Sequence, residues 1–560
     1  MSRKVPVGIS NFEKIRKDGY YYIDKSLLVF ALLKAGPVKA TFLTRPRRFG
    51  KTLGMSMLAN FFDIRKDSKK LFEGLEIAGF SDLCENWMNQ YPTLFFSFKD
   101  INGLDFWGAK EMLRNQIAQL CNEHSYLGTS KKVNENDRKV FLAISDTVHG
   151  EVSDAQLKTS ISLVMRMMQA HYGKPVVLLL DEYDVPVSKA ADNGFYKEML
   201  DVIKAMLSTA LKDNTSLRFA VITGCLNITK ESIFTGTNNF VCDTISSGRL
   251  HEFFGFTQKE VEKLLKDLGM EEQETAVKSW YDGYRFGDLE VYCPWDVMNY
   301  VQDLRLNLAK TPKSYWKNTS DNAIIRSFID YAGNSITAKL ETLMAGGSIR
   351  QKVEEELTYD YLHASEENLW SILYMTGYLT KAKEQNGENA GCGYETALVI
   401  PNAEIREIFE DTVMKWFGDN ARSWNRKALF DAVWKGDSEV LTKEMSKLLR
   451  RTISYHDYHE DFYHAFLAGI FAGAGYMVES NREHGAGRSD VIVHDAVNGR
   501  AAVFEAKYSR SLKDMEIDCE KALRQIEERN YAEEFQDTCD ETFCYGIAFF
   551  KKRCLIRKAV

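Results

Sequence analysis

A short loop-like segment of the sequence has the residue types that hold a phosphate chain. It reads RPRRFGKT over residues 45–52 and lies between an apolar strand pattern and a helical pattern. Backbone N–H groups at the start of such a helix can hold phosphate oxygens. Lys51 can neutralise the β- and γ-phosphates, and the Thr52 hydroxyl can bind Mg²⁺. The predicted nucleotide-binding residues of this loop are Arg48, Phe49, Gly50, Lys51 and Thr52, with Lys51 facing solvent.

An acidic pair follows a second apolar strand pattern. The run VVLLL ends at Asp181 and Glu182. Asp181 would hold the Mg²⁺ shell, and Glu182 could polarise the attacking water. Thr223, at the end of a third strand pattern, is a candidate γ-phosphate sensor. The alternative is an ordinary acidic turn after a core strand. The loop and the acids together favour a site for ATP and Mg²⁺.

Near the C-terminus, the segment RSDVIVHDAVNGRAAVFEAK predicts a β-hairpin. Its dipeptide Asn498-Gly499 favours a two-residue turn. Such a turn places Asp490 opposite Lys507. Because side chains alternate along a strand, Asp490, Glu505 and Lys507 would then share one face of the hairpin. Two carboxylates and a lysine are therefore predicted to converge.

These residue types suit metal-dependent cleavage of a phosphodiester. Asp490 and Glu505 offer the hard oxygen ligands that Mg²⁺ or Mn²⁺ prefers. Lys507 can position or activate a water for attack, while the metal stabilises the developing charge. The alternative interpretation is an exposed hairpin with ordinary charged pairs.

The strands expected to position the first site are apolar along their length, as strands covered on both faces should be. Short apolar runs alternate with amphipathic helical patterns, which predicts an α/β fold with a largely parallel sheet. The candidate strands are Lys39–Thr44, Thr93–Phe98, Val176–Leu180 and Leu217–Thr223.

The rest of the chain divides into a mostly helical stretch and a second α/β pattern. Predicted helices include Lys259–Leu268, which begins with a capping box formed by Thr257 and Glu260. The second α/β pattern starts near Asp461. We therefore expect an ATPase domain over residues 1–245, a helical lid or winged-helix-like linker over 246–425, and a second α/β domain over 426–560. The further predicted helices are Pro294–Leu306, Glu367–Thr376, Ala403–Trp416 and Met515–Glu527.

The composition is that of an ordinary globular protein. The 560 residues are 45% hydrophobic and 27% charged, and no apolar run is long enough for a membrane helix. Ten cysteines without zinc spacing, and no apolar stretch behind the first residues, predict a cytoplasmic protein with reduced thiols. A net charge of −7 argues against coating nucleic acid through charge alone but permits a local basic groove.

Several spaced motifs resemble a bacterial AAA-ATPase-like family that is often fused to a PD-(D/E)XK nuclease domain. They are YYYIDKS, FLTRPRRFGKT, LLLDEYDVPV, SIFTGTNNF and WYDGYRFGDLEVYCPWDV. The resemblance covers most of residues 5–300 and implies ATP and Mg²⁺ binding by Lys51, Thr52, Asp181 and Glu182. It also makes Arg45, where the general loop consensus has glycine, a family trait. Arg249 lies in a stretch similar to another family segment, which implies a γ-phosphate or interface arginine.

The hairpin and its flanks resemble the PD-(D/E)XK fold over about residues 455–555, which implies that the domain over 426–560 is restriction-endonuclease-like. Glu460, at the start of the preceding predicted helix, stands at a position that often adds a metal carboxylate. Gln525 and Tyr531 resemble residues of the helix that follows the active-site strand.

The leading hypothesis is an ATP-dependent or ATP-regulated nuclease that acts on DNA, with RNA less favoured. The alternative is a nucleotide-driven switch or scaffold whose nuclease-like domain binds nucleic acid or a partner without cutting. A phosphotransferase ranks last because it leaves the C-terminal carboxylates without a role. No membrane partner is expected, and an oligomer is left open.

Overall fold

A computed structural model describes most of the chain, and its contacts divide it into two compact units. Unit 1 comprises Met1–Tyr315, Lys352–Lys381 and Ala390–Thr396, and unit 2 comprises Trp316–Gln351, Ala382–Asn389 and Ala397–Val560. The described residues are 4–34, 38–148, 150, 152–226, 240–307, 310–316, 339–340, 342–355, 357, 365–383, 395–422, 427–452, 460–472, 474–480, 483–484, 487–488, 491–528, 535, 539–551 and 553–559.

Unit 1 is built on a five-stranded parallel sheet with the order β2-β3-β4-β1-β5. Its apolar strands are buried because helices cover both faces, and they lie within one residue of the predicted bounds. The predicted α/β fold with a parallel sheet is confirmed. The short edge strand β5 was not predicted from the sequence. The strands are β1 (Ala40–Thr44), β2 (Thr93–Ser97), β3 (Val176–Asp181), β4 (Leu217–Gly224) and β5 (Phe240–Asp243).

The helices around this sheet follow the apolar periodicity of the sequence. They are α1 (Phe12–Lys17), α2 (Leu28–Lys34), α3 (Lys51–Phe62), α4 (Lys69–Phe72), α5 (Ser81–Trp87), α6 (Phe106–Glu123), α7 (Tyr126–Thr129), α8 (Glu135–Ser145), α9 (Asp154–Lys158), α10 (Ser160–Tyr172), α11 (Val185–Asn193) and α12 (Tyr196–Leu211). Short 3₁₀ turns span Glu76–Gly79, His251–Phe253 and Glu271–Gln273.

The region after the sheet is mostly helical, as predicted, with short strands between its helices. The capping box at the start of the first of these helices is present, because the Thr257 hydroxyl accepts from the Glu260 N–H while the Glu260 carboxylate accepts from the Thr257 N–H. The helices are α13 (Gln258–Leu268), α14 (Glu274–Tyr281), α15 (Pro294–Leu306), α16 (Glu366–Met375) and α17 (Ala403–Arg422), and the strands are β6 (Tyr284–Phe286), β7 (Leu289–Val291), β8 (Ile349–Lys352), β9 (Thr380–Lys381) and β10 (Glu395–Val399).

Unit 2 contains a second five-stranded sheet, with the order β11-β14-β15-β16-β17. The pair β15 and β16 is parallel and the other pairs are antiparallel. The strands of this region are β11 (Met477–Ser480), β12 (Glu483–His484), β13 (Gly487–Arg488), β14 (Val491–Asp495), β15 (Arg500–Tyr508), β16 (Glu541–Phe550) and β17 (Arg553–Lys558), and the helices are α18 (Lys427–Lys435), α19 (Ser438–Thr452), α20 (Glu460–Ala472) and α21 (Met515–Glu528). The mixed sheet with helices confirms the predicted C-terminal α/β fold.

The hairpin between β14 and β15 forms, but the predicted two-residue turn is wrong. Asp495 pairs with Arg500, so residues 496–499 make a four-residue turn. The carboxylate of Asp495 accepts from the Asn498 side chain at 2.8 Å and from Arg500 at 2.6 Å, and these bonds outweigh the local turn preference. The register shifts by two residues, which leaves the alternation of side chains between the two faces unchanged.

No helix in the described parts of the chain is long and apolar enough to cross a membrane.

Candidate nucleotide and nuclease sites

The predicted phosphate loop connects β1 to α3, with Lys51 as the first residue of the helix. Gly50 has φ 84° and Arg48 has φ 73°, so both take the left-handed conformation. A glycine adopts this conformation without a steric cost, whereas a side chain at position 50 would be strained. The loop therefore presents the N–H groups of a helix start, the arrangement that binds anions.

The Lys51 side chain folds back onto the loop and contacts its main chain. Its ammonium donates to the main-chain oxygens of Arg45 and Pro46, each at 2.9 Å, and lies 3.6 Å from the Cys225 thiol. The residue is only 4% exposed, so the expectation that Lys51 faces solvent is wrong. The Lys51 ammonium donates to carbonyl oxygens of the loop in this structure. A bound phosphate would replace these carbonyls as the hydrogen-bond acceptor.

Two strand ends and the start of a helix meet at the buried carboxylate of Asp181. The Thr52 hydroxyl donates to Asp181 Oδ2 at 2.8 Å, and the Thr223 hydroxyl donates to Asp181 Oδ1 at 2.5 Å. Thr52 is the second residue of α3, Asp181 is the last residue of β3, and Thr223 lies near the end of β4. The structure thus brings together the hydroxyls and the acid that were expected to hold Mg²⁺ and to sense the γ-phosphate.

Glu182 stands beside this group in a strained conformation. Its φ is 53°, the left-handed region that glutamate rarely adopts. Burial raises the pKa of Glu182, and nearby Asp181 and Asp184 raise it further, while Lys51 opposes the shift. A carboxylate with a raised pKa is a better proton acceptor, which suits the expected role toward an attacking water.

On the second candidate site, the structure brings together Glu505 and Lys507. Both lie on β15 two residues apart, so they share a face of the strand. Glu505 is fully buried, and Lys507 Nζ donates to its Oε1 at 3.1 Å. A carboxylate is a hard ligand for Mg²⁺ or Mn²⁺, so Glu505 could supply one ligand to a metal of that class, whereas the Lys507 ammonium could not.

Asp490 and Tyr531, which were predicted at or near this site, lie outside the described residues. Glu460 begins α20, as expected, but its side chain is also outside them, and Gln525 lies on α21. Within the described ranges, no group of three or more His, Cys, Asp or Glu side chains could hold a metal ion. The metal ligand set therefore stays a prediction.

Two protein families match separate parts of the chain. A family described as "Predicted AAA-ATPase" matches residues 6–234, and the PD-(D/E)XK nuclease superfamily matches residues 458–559. The chain carries an AAA-ATPase-like domain and a C-terminal PD-(D/E)XK nuclease superfamily domain. The resemblance inferred from the sequence motifs is confirmed.

Two further proteins are similar to the chain. An uncharacterized protein in the vnfD 5′ region of Azotobacter chroococcum mcd 1 is 26% identical over 567 residues, covering 98% of this chain and 97% of that protein. A solved Walker-type ATPase of Pyrococcus abyssi aligns with a TM-score of 0.37 and 11% identity, covering 70% of this chain and 97% of its own.

A cavity of about 330 Å³ adjoins the phosphate loop of the ATPase-like domain. Its largely apolar walls include Val7 and Ile9 from the N-terminal segment, and Trp295 and Met298 from α15. The Arg48 guanidinium lies over the Trp295 ring at 5.6 Å. The cavity can receive the apolar face of a base attached to phosphates on the loop. Because its walls come from distant segments, no local motif of the sequence predicts it.

Asp184 is a further acid of the ATPase-like domain that the sequence interpretation missed. It is 2% exposed, and its Oδ2 accepts from the N–H groups of Cys225 and Leu226, each at 3.0 Å. Burial raises the pKa of Asp184. Gly224 packs so closely that an added Cβ would lie 2.6 Å from Asp184 Oδ1. The available signal was its place three residues after Asp181 in the DEYD motif.

The side chains of two other predicted nucleotide-binding residues, Phe49 and Arg249, contact neighbouring protein groups. The Phe49 ring is buried against Tyr284 and Phe286, with ring centroids 4.9 Å apart in each pair, so only its main chain can reach a phosphate. Arg249 Nε donates to Asp243 Oδ2 at 3.3 Å, and its side chain is one-third exposed. Its role toward a γ-phosphate stays a prediction.

Proposed function

We propose that the ATPase-like domain binds and hydrolyses ATP with Mg²⁺, and that the nuclease superfamily domain cleaves nucleic acid, with DNA favoured. The observation that carries the first half is the meeting of Thr52 and Thr223 at Asp181 beside the phosphate loop. The second half rests on the buried Glu505 and its bond to Lys507 in a domain of that superfamily.

Each residue of the nucleotide site has a chemical role in this proposal. The loop N–H groups and Lys51 would bind phosphate oxygens, and charge on the leaving phosphate would be stabilised by Lys51. Thr52 and Asp181 would hold Mg²⁺, which supplies charge neutralisation on the phosphates when bound. Glu182 would accept a proton from the attacking water, for which its raised pKa is suited.

The cavity beside the loop supports a nucleoside triphosphate over inorganic polyphosphate. Polyphosphate has no group to place against Trp295 and Met298. An adenine ring would remove that apolar surface from water, and it could stack on Trp295. Replacing Trp295 by alanine should therefore weaken ATP binding.

At the nuclease site, Asp490, Glu505 and Glu460 are the proposed carboxylate ligands of a divalent metal. Such a metal would supply charge stabilisation at the scissile phosphate when bound. Lys507 would hold and orient the attacking water. In the structure its ammonium is already held by Glu505, which fixes the end of the flexible lysine side chain beside the acid.

The testing experiment measures both activities in the same purified preparations. Lys51→Ala should abolish ATP hydrolysis, and Glu182→Gln should keep ATP bound while hydrolysis slows. Glu505→Ala and Lys507→Ala should each eliminate cleavage of plasmid or linear DNA in Mn²⁺ and ATP, with ATP hydrolysis retained. Undiminished hydrolysis in both nucleotide-site variants would refute the ATPase assignment.

A switch or scaffold without cleavage is the second candidate, favoured by one observation. Glu505 is fully buried and already carries a lysine partner, as a purely structural pair would. A wild type that binds Mn²⁺ but cuts neither DNA nor RNA would select this alternative. The three-domain division, an oligomer and a cytoplasmic location also stay predictions.

A further inference from the structure

The side chain of Arg45, at the start of the phosphate loop, points away from the loop's N–H groups into the protein. Its Nη1 donates to the main-chain oxygens of Thr44 and Asp243, each at 2.9 Å, and its Nη2 donates to Asp243 Oδ1 at 2.6 Å. The rings of Phe254 and Phe286 lie 5.6 Å and 5.4 Å from the guanidinium carbon. The Arg45 guanidinium therefore anchors the start of the loop to buried groups of the protein and does not point toward the place expected for a phosphate.

Asp243 is the last residue of β5, the edge strand that pairs with β1. Both members of the Arg45–Asp243 pair are almost completely buried. Removing two charges from water is costly, and hydrophobic residues of similar size often give equal or better stability. The Arg45–Asp243 pair is thus not expected to add much to the net stability of the fold. Its fixed geometry instead joins the start of the phosphate loop to β5.

The main chain of Arg45 touches the working part of the loop. Its carbonyl oxygen accepts from Lys51 Nζ at 2.9 Å, and its N–H donates to the Gly224 oxygen at 3.1 Å. The same residue therefore carries the guanidinium that is bound to Asp243 and the carbonyl that accepts from the Lys51 ammonium.

We propose that Arg45 and Asp243 are positioning residues of the nucleotide site, which hold the start of the phosphate loop in the conformation that binds phosphate. A guanidinium gives two N–H donors in a planar fork, so it fixes direction as well as distance. The loop is then formed before the ligand arrives, and binding does not have to order it. The effect on ATP rests on the proposed function, whereas the effect on the loop does not.

The turn after Asp243 offers matched control positions. The Thr244 hydroxyl donates to the Glu355 carboxylate, and the hydroxyls of Ser246 and Tyr374 lie 3.0 Å apart. Tyr374→Phe removes one contact of this turn and leaves the Arg45–Asp243 pair in place.

The test uses three variants. One is a double variant that combines Arg45→Met and Asp243→Leu, and the other two are the single variants Arg45→Lys and Tyr374→Phe. The double variant replaces the ion pair by apolar side chains and should unfold at a urea concentration close to that of the wild type. Two properties are measured: hydrogen exchange of a peptide covering residues 45–52 without nucleotide, and the Kd for ATP by calorimetric titration.

Hydrogen exchange of the loop peptide should be at least tenfold faster in the double variant, and ATP should bind at least tenfold more weakly. Arg45→Lys keeps the charge but loses the fork, so both of its measured values should fall between those of the double variant and the wild type. If the double variant does not fold, Arg45→Lys should still show faster loop exchange and weaker ATP binding than the wild type. Tyr374→Phe should match the wild type. Equal loop exchange in Arg45→Lys and the wild type would overturn the proposal.

The two proposals fail in different ways. A wild type that binds no ATP would refute the nucleotide site, while the loop exchange still tests the positioning role. Faster hydrogen exchange of the loop peptide with unchanged ATP affinity would show that the pair orders the loop but does not position it for phosphate, which also overturns the inference.

Discussion

The hydroxyl of Thr223 donates to Asp181 across two neighbouring strands, at 2.5 Å. Both residues are fully buried, and the other oxygen of Asp181 accepts from Thr52. The acid at the end of β3 is thereby held from both sides. The proposed nucleotide site is organised by hydrogen bonds that can be removed singly.

Thr223→Val should destabilise the protein and slow ATP hydrolysis. Valine has nearly the same shape but no hydroxyl, so one oxygen of the buried Asp181 loses its donor, which costs about 1–3 kcal/mol. Thr223→Ser keeps the donor and should retain both properties to a large extent. Urea unfolding and steady-state hydrolysis measure the two effects, and equal stability of the valine and serine variants would contradict the prediction.

Glu182→Asn should leave stability equal or raise it while hydrolysis is lost. Asparagine tolerates the left-handed conformation that Glu182 adopts, and relief of such strain is worth on the order of 1 kcal/mol. Glu182→Gln keeps a side chain of the same length and should show no such gain. The free energy of unfolding from urea titration makes the comparison, and an asparagine variant clearly less stable than the glutamine variant would rule out strain at this position.

ATP hydrolysis should fall on the acid side at a pH above the ordinary glutamate pKa of 4.5. Burial raises the pKa of Glu182, and a general base must be deprotonated to act, so protonation removes activity as the pH drops through that raised value. The residual rate of Glu182→Gln should lack this acid limb. A pH profile of kcat with unchanged shape in the variant would assign the limb to another group.

Asp184→Asn should stabilise the protein at neutral pH relative to the wild type. Because burial raises the folded-state pKa of Asp184 above its unfolded value, its contribution to stability is present at low pH and is lost as the pH rises through the folded pKa. The amide oxygen can still accept from Cys225 and Leu226. The difference in unfolding free energy between variant and wild type should therefore widen from acid to neutral pH. A difference in unfolding free energy that does not change with pH would contradict this prediction.

Lys507→Met should lower the melting temperature, and Mn²⁺ should restore part of the loss. The substitution removes the ammonium that donates to the buried Glu505, and breaking a buried ion pair by removing one member is strongly destabilising. A bound cation stabilises by mass action. The Mn²⁺-dependent shift should exceed that of the wild type and should be absent in Glu505→Gln and Asp490→Ala. A shift of equal size in Glu505→Gln would place the metal elsewhere.

The local patterns of the sequence determined which elements form and which chemical groups they carry. The apolar runs, the GKT sequence at the start of α3 and the capping box at Thr257 each depend on neighbours in the chain. Periodicity, helix ends and strand ends can therefore be predicted from the sequence before the tertiary structure is known. The pairing of Glu505 and Lys507 on one face follows from the period of a strand alone.

The tertiary structure decided how those groups are held. The hairpin register follows bonds to Asp495, the burial of Lys51 follows its contacts with loop carbonyls, and Arg45 finds its partner 198 positions away at Asp243. The bonds of Asp495 and Lys51 join residues only three to six positions apart, but both side chains are buried, so these bonds depend on the removal of water by the surrounding fold. The Arg45–Asp243 pair joins residues far apart in the chain and forms only when β1 and β5 come together. Local propensities carry no information about such contacts, because their energy exists only once the strands have assembled.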